Sequence, residues 1–210
     1  MNKNKTKLVL VVDRSGSMAD ILSDAQGGIN TFLKSQKEHP GECSLSLYQF
    51  NNMVEKVYSG DLKNCEGYHL SPSGGTALFD AMGQAIVEVG RELALMHEED
   101  RPGLVLFAVV TDGEENSSKE YSASAVKKMV EEQKVKYSWK FEFMCCDEKT
   151  LNQAQSLGFN SATQYNVQKT ANVYKNMGGK FATMRSLSAN NATNDQLEAA
   201  MSYNDEQKSD

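Results

Sequence analysis

Asp13, Ser15 and Ser17 stand at alternate positions in VVDRSGSM, where a run of branched aliphatic residues stops abruptly. A carboxylate and two hydroxyls on a tight, glycine-containing loop can aim several oxygens at one point, which is what a hard divalent cation requires. The competing reading is a helix N-cap, in which a serine satisfies the first free amides of the following helix. Two later stretches carry similar chemistry: Thr76 in SPSGGTALFDA and Asp112 in VVTDGEENSS. Glycines accompany each of the three, namely Gly16, then Gly74 and Gly75, then Gly113, and their permissive backbone lets loops pack closely and approach a ligand. Alone, Thr76 would be a helix cap and Asp112 with Gly113 an ordinary turn. Their joint occurrence favours a cation site.

For these residues to meet, the elements around them must share one edge. Leu8 to Val12 is a short apolar run, the signature of a strand buried on both faces. Ile21, Ala25, Ile29 and Phe32 recur at helical spacing, with Leu22 and Leu33 widening the stripe, so a helix is expected over about Ala19 to Gln36. CSLSLYQF and VEKVYS follow as an antiparallel hairpin, because the link between them is too short for a parallel crossover. A helix from Thr76 to about His97 and the strand LVLFAVVT, Leu104 to Thr111, come next. A helix over Ser118 to Lys134, the strand YSWKFEFMCC, a helix over Glu148 to Leu157, a strand around Ala162 to Val167 and a helix over Thr170 to Leu187 complete the pattern.

Helices regularly separating apolar strands predict an α/β, Rossmann-like, doubly wound and mostly parallel six-stranded sheet, with one antiparallel edge strand and helices on both faces. Ligands of such sheets sit beyond the carboxyl ends of the strands, where the strand order reverses. Asp13 and Asp112 both end apolar strands and converge there if the first and fourth strands are neighbours. The chain of 210 residues, 40% hydrophobic, is of single-domain size. Residues 1–187 are read as the domain. Residues 188–210, rich in Asn, Ser, Asp and Gln, are read as a polar tail, flexible or with a short helix near Gln196 to Met201.

DRSGS, Thr76 in GGTALFDA and Asp112 in TDGEEN together resemble the metal-ion-dependent adhesion site of the von Willebrand factor A domain family. The similarity covers roughly residues 7 to 187. It implies one Mg²⁺, with Mn²⁺ or Ca²⁺ as alternatives, held by Asp13, Ser15, Ser17, Thr76 and Asp112. In the family the hydroxyls bind directly and the aspartates bind directly or through water. It further implies a protein partner whose Glu or Asp completes the coordination. Family members without secretion signals are often bacterial or phage proteins that act with an intracellular ATPase or assembly component.

Several function classes are disfavoured by composition. The net charge is −6 and no basic stripe with interleaved aromatics occurs, which argues against nucleic acid. No apolar run approaches membrane-spanning length, and the stretch before Asp13 is too brief for a signal-peptide core. Cysteines 43, 65, 145 and 146 lack metal-ligand spacing, so a cytoplasmic location is expected, with Cys145 and Cys146 as small buried hydrophobes.

The expected activity is therefore metal-dependent protein interaction. A Mg²⁺-dependent phosphoryl-transfer or hydrolytic enzyme is the alternative, but the dehalogenase-type second acid two places after Asp13 is Ser15, and neither a Walker loop nor a G-x-S-x-G elbow is present. His39, His69 and His97 show no triad pattern. A scaffold in which the metal is dispensable is the third reading. Glu114, Glu115 and Asn116 are expected to rim the crevice or form a solvated acidic loop. Asp80 is expected to support the metal ligands or complement the helix dipole. Tyr68 and His69 precede the threonine loop and carry little weight.

Overall fold

The computed structural model describes residues 1–145, 148–159, 161–164 and 170–202. Strand β1 spans Asn2–Asp13, β2 Glu42–Phe50, β3 Val54–Asp61, β4 Pro102–Val110, β5 Lys140–Cys145 and β6 Ser161–Gln164. The helices are α1 Leu22–Glu38, α2 Leu78–Ala94, α3 Ala123–Tyr137, α4 Glu148–Ser156, α5 Thr170–Ala189 and α6 Asn194–Ser202. The six strands form one sheet in the order β3-β2-β1-β4-β5-β6, with only the β2–β3 pair antiparallel. This is the doubly wound α/β sheet with an antiparallel edge strand that the residue pattern predicts.

Leu8 to Val12 are all buried because helices cover both faces of β1. Leu8, Leu10 and Val12 pack into one core with Ala25, Ile29 and Phe32 of α1 and Phe181 of α5. Val9 and Val11 pack into the other, with Met82, Ile86 and Val89 of α2 and Val126 and Val130 of α3. Met144, Met177 and Met184 are buried apolar filling, as is Cys145. Cys146 and the end of the expected last strand, 165–167, lie outside the described residues.

Of the boundaries that differ from expectation, three have a local reason. A 3-10 helix over Gly16–Ile21 precedes α1, so the expected helical start at Ala19 belongs to a tighter turn. Helix α3 begins at Ala123, not Ser118. Residues 117–121 have their amides drawn to the side chains of Glu115 and Asp80 instead, and Ser122 caps the helix by accepting from the Ala125 amide. β5 starts at Lys140 because Tyr137 ends α3 and Ser138 turns the chain in the left-handed region, at φ 56°.

Two buried or half-buried ion pairs hold strand β5, which lies between β4 and the edge strand β6. Lys180 of α5 reaches Glu142 at 2.9 Å, both almost fully shielded, and also donates to Ser161. Lys140 pairs with Glu198 and donates to Asn194 of α6. With Leu197 and Met201 also buried, α6 packs as part of the body, not as a free tail.

Helices α1 and α5 approach closely where glycine leaves space. A Cβ on Gly28 would land inside the Tyr174 ring, and one on Gly178 would come 2.9 Å from Ser35 Oγ. Gly178 is thus a packing residue within a continuous α5, and its carbonyl accepts from Gln36 Nε2. Gly27, by contrast, faces open space. Gly27→Ala is therefore expected to stabilise by up to about 1 kcal/mol through helix propensity. Gly28→Ala should destabilise by about 1–3 kcal/mol through overpacking. Urea unfolding of the two variants checks this; equal shifts would mean that Tyr174 yields freely.

Candidate metal-binding site

The site lies where β1 and β4, adjacent and parallel, end together, with Val12 opposite Val110. The next residue on each strand emerges at the carboxyl edge, Asp13 from β1 and Thr111 after β4. They are joined directly: Thr111 Oγ1 donates to Asp13 Oδ2 at 2.6 Å. The other carboxylate oxygen accepts from the Ser15 amide at 2.6 Å. Asp13 is fully buried. Burial, with a smaller push from the Asp112 charge, raises its carboxyl to about 6, against the lowering effect of the Thr111 and Ser15 hydrogen bonds.

From Asp13 the oxygens run in sequence across the edge. Ser15 Oγ and Ser17 Oγ are 3.1 Å apart, and Ser17 Oγ donates to Asp112 Oδ1 at 2.7 Å. Thr76 joins this row at Gly113, where a Cβ would stand 3.6 Å from both Ser17 Oγ and Thr76 Oγ1. Asp13, Ser15, Ser17 and Asp112 are thus linked by hydrogen bonds from the first and third loops, and Thr76 of the second lies beside Gly113. Ser15 is in the N-cap position of the 3-10 helix, yet its side chain makes no capping bond. It faces Ser17 instead.

The separations in this row are those of hydrogen-bonded oxygens, and they also lie near the spacing of ligand oxygens about a small cation. Oxygens at adjacent corners of an octahedron with Mg²⁺–O bonds of about 2.1 Å are about 3 Å apart, whereas the longer Ca²⁺ bonds spread them further. The 2.7 and 3.1 Å separations bracket the smaller value. Among the described residues no cluster of three or more His, Cys, Asp or Glu forms a metal cage. The convergent set here is two carboxylates and three hydroxyls.

The loops are held by residues to which the sequence reading gave another role or none. Asn116 accepts from the Thr76 amide through Oδ1 while its own amide donates to the Thr76 carbonyl, clamping the threonine from both sides. Asn52 Oδ1 accepts from the Gly75 amide, and Asn51 Nδ2 donates to the Ser73 carbonyl. The Gly16 amide donates to the Gly74 carbonyl, which ties the first loop to the second. Gly74 has φ 77°, and a Cβ there would collide with Asn52. The pair Asn51-Asn52 directly after β2, and Thr111 directly before Asp112, were the signals available.

Other expectations are corrected in detail. Glu115 does not rim the crevice: its carboxylate accepts from the amides of Phe79, Ser117 and Ser118 and from the Ser118 hydroxyl. Asp80 accepts from the amides of Lys119, Glu120 and Tyr121. Both carboxylates build the third loop. Tyr68 is buried in the α1 side of the core and donates to Gln49.

No protein-family model matches the chain, and no curated protein sequence does. Solved structures do match it. One is a von Willebrand factor type A protein from Catenulispora acidiphila, 14% identical over 84% of this chain and 42% of that one, with a TM-score of 0.58. Another is the pilus adhesin SpaC from Lactobacillus rhamnosus GG, 14% identical over 85% and 30% respectively, at 0.60. A third is the manganese-loaded TRAP protein of Plasmodium vivax, 14% identical over 82% and 73%, at 0.55. The chain spans less than half the length of the first two. At these identities the likeness is one of architecture, and the architecture of this chain is the von Willebrand factor A fold.

Proposed function

We propose that this chain is a protein-interaction module that holds one Mg²⁺ or Mn²⁺ at Asp13, Ser15, Ser17, Thr76 and Asp112 and takes a Glu or Asp from a partner protein. The observation that carries the reading is the continuous row of oxygens from Ser15 through Ser17 to Asp112, at 3.1 and 2.7 Å. Five protein oxygens are one fewer than an octahedral cation takes, and three of them are neutral hydroxyls, so an incoming carboxylate gains more than at an acid-saturated cage. The bound cation would supply the charge that attracts that carboxylate.

The chain's own residues do the positioning. Thr111 and the Ser15 amide fix the orientation of Asp13, Asn116 clamps Thr76, and Asn51 and Asn52 hold the glycine turn that presents it. Two neighbours of the same fold, one manganese-loaded and one a pilus adhesin, support metal and protein binding as the shared use. Binding is preferred to catalysis: among the described residues, His39 engages its ring nitrogens at the far end of α1, with the Pro40 carbonyl and Ser186, away from the donors. A cytoplasmic location is part of the proposal, supported by the free, buried thiols of Cys43 and Cys65.

Calorimetric titration of Mg²⁺ into the full chain is expected to show one saturable site. A blocked glycine peptide bearing one Glu should then bind the Mg²⁺-loaded chain and not the EDTA-treated one. Peptide binding that survives EDTA would replace the proposal with a metal-free scaffold. Mg²⁺-dependent turnover of p-nitrophenyl phosphate would replace it with an enzyme.

A further inference from the structure

Arg14, between the first two oxygen donors in sequence, is the site's unexplained charge. Its backbone is built into the site: the Arg14 amide donates to the Phe50 carbonyl, and its carbonyl accepts from the Ser73 amide. Its side chain lies along residues 71–73, the segment that leads straight into Gly74, Gly75 and Thr76. There Nη1 donates to the Ser71 carbonyl at 3.4 Å and to Ser73 Oγ at 3.3 Å, both beyond the usual 2.7–3.2 Å range. Nε is buried with no hydrogen-bond partner.

Among the described residues, this guanidinium has no carboxylate partner. Lys7, Lys56, Lys140 and Lys180 each pair with an acid. Arg14 does not, although Asp13 is its chain neighbour; that carboxylate is turned to Thr111 and the Ser15 amide. A half-buried guanidinium that, among the described residues, is held only by two long contacts of Nη1 can take an anion through its outer nitrogens, since guanidinium N–H groups pair well with a carboxylate.

We propose that Arg14 is a second anion-reading point beside the metal site, so that the partner segment carries two neighbouring carboxylates, one for the cation and one for the guanidinium. This rests on the metal-bridge reading above and deepens it by naming the partner's chemistry. Arg14 is a specificity-determining residue: it ranks acidic partners and leaves the cation's own donors alone.

The test uses the Mg²⁺-loaded full chain and blocked glycine peptides bearing one Glu, two adjacent Glu, or two Glu separated by one Gly. Two acids double the chance of reaching the cation, so a twofold preference is the baseline. The wild-type chain is expected to prefer one of the two-acid peptides by about tenfold, the worth of one exposed charge-assisted contact. Arg14→Gln should bring that preference down to the baseline, and Arg14→Lys should fall between. Equal weakening of all three peptides by Arg14→Gln would show that Arg14 only braces the 71–73 segment, and would overturn the inference. A wild-type preference at the twofold baseline would overturn it as well. Absence of Mg²⁺-dependent binding by any of the peptides would instead remove the metal-bridge reading itself, and this one with it.

Discussion

Asp13→Asn is expected to lower Mg²⁺ affinity on the order of a hundredfold or more, the scale at which even supporting groups around metals act. Asn keeps the shape but loses the charge, and its amide nitrogen cannot accept from Thr111 or the Ser15 amide as the carboxylate does. The same substitution should have the opposite effect on the metal-free fold. Burial raises the Asp13 carboxyl from 3.8 to about 6, so between those pH values the folded chain holds a proton that the unfolded chain has released. Stability in EDTA should therefore fall as pH rises through that window, by roughly 3 kcal/mol, and level off above it. Asp13→Asn removes that slope and leaves the metal-free protein at least as stable as wild type at pH 7. Calorimetry with Mg²⁺ and urea unfolding in EDTA from pH 4 to 7 measure both. An unchanged affinity, or a wild-type slope in the variant, would contradict the account.

Glu142→Leu should cost about 3–5 kcal/mol, because it strands the Lys180 ammonium in a nearly water-free place with Ser161 as its remaining partner among the described residues. The double variant Glu142→Leu/Lys180→Met should recover part of the loss, since the stranded ammonium is removed with its partner. Urea unfolding of the single and double variants forms the cycle. A single-variant loss below about 1 kcal/mol would mean that Lys180 escapes to water along its partly open side.

The sheet was legible because its signals are redundant. The apolar runs at Leu8 to Val12 and Leu104 to Val110 are too continuous for half-exposed strands, and the acid that ends each marks the same edge. That Asp13, Ser15, Ser17, Thr76 and Asp112 lie toward one edge was legible because they occur in three loops at positions that only a shared edge unites. What escaped were interactions between a side chain and a distant backbone. Nothing in EENSSKEY announces that Glu115 and Asp80 gather the amides of residues 117–121, so local propensity favoured a helix where those carboxylates impose a loop. Asn116 and Asn52 were hidden for the same reason: a carboxamide's role depends on which amide the fold brings to it. The tail showed the limit of composition, since Leu197 and Met201 suffice to bury one face of α6 in an otherwise polar stretch.

The bond between Ser17 and Asp112 spans 95 positions of sequence, and that between Thr111 and Asp13 spans 98. A nascent chain leaving the ribosome would expose its first serines and aspartate long before β4 exists to oppose them. Until that strand slots in beside β1, the isolated DRSGS loop has neither its buried carboxylate nor its opposing aspartate. On the metal-bridge proposal, competence to bind would be coupled to completion of the central strand pair, and a product lacking β4 would engage neither cation nor partner.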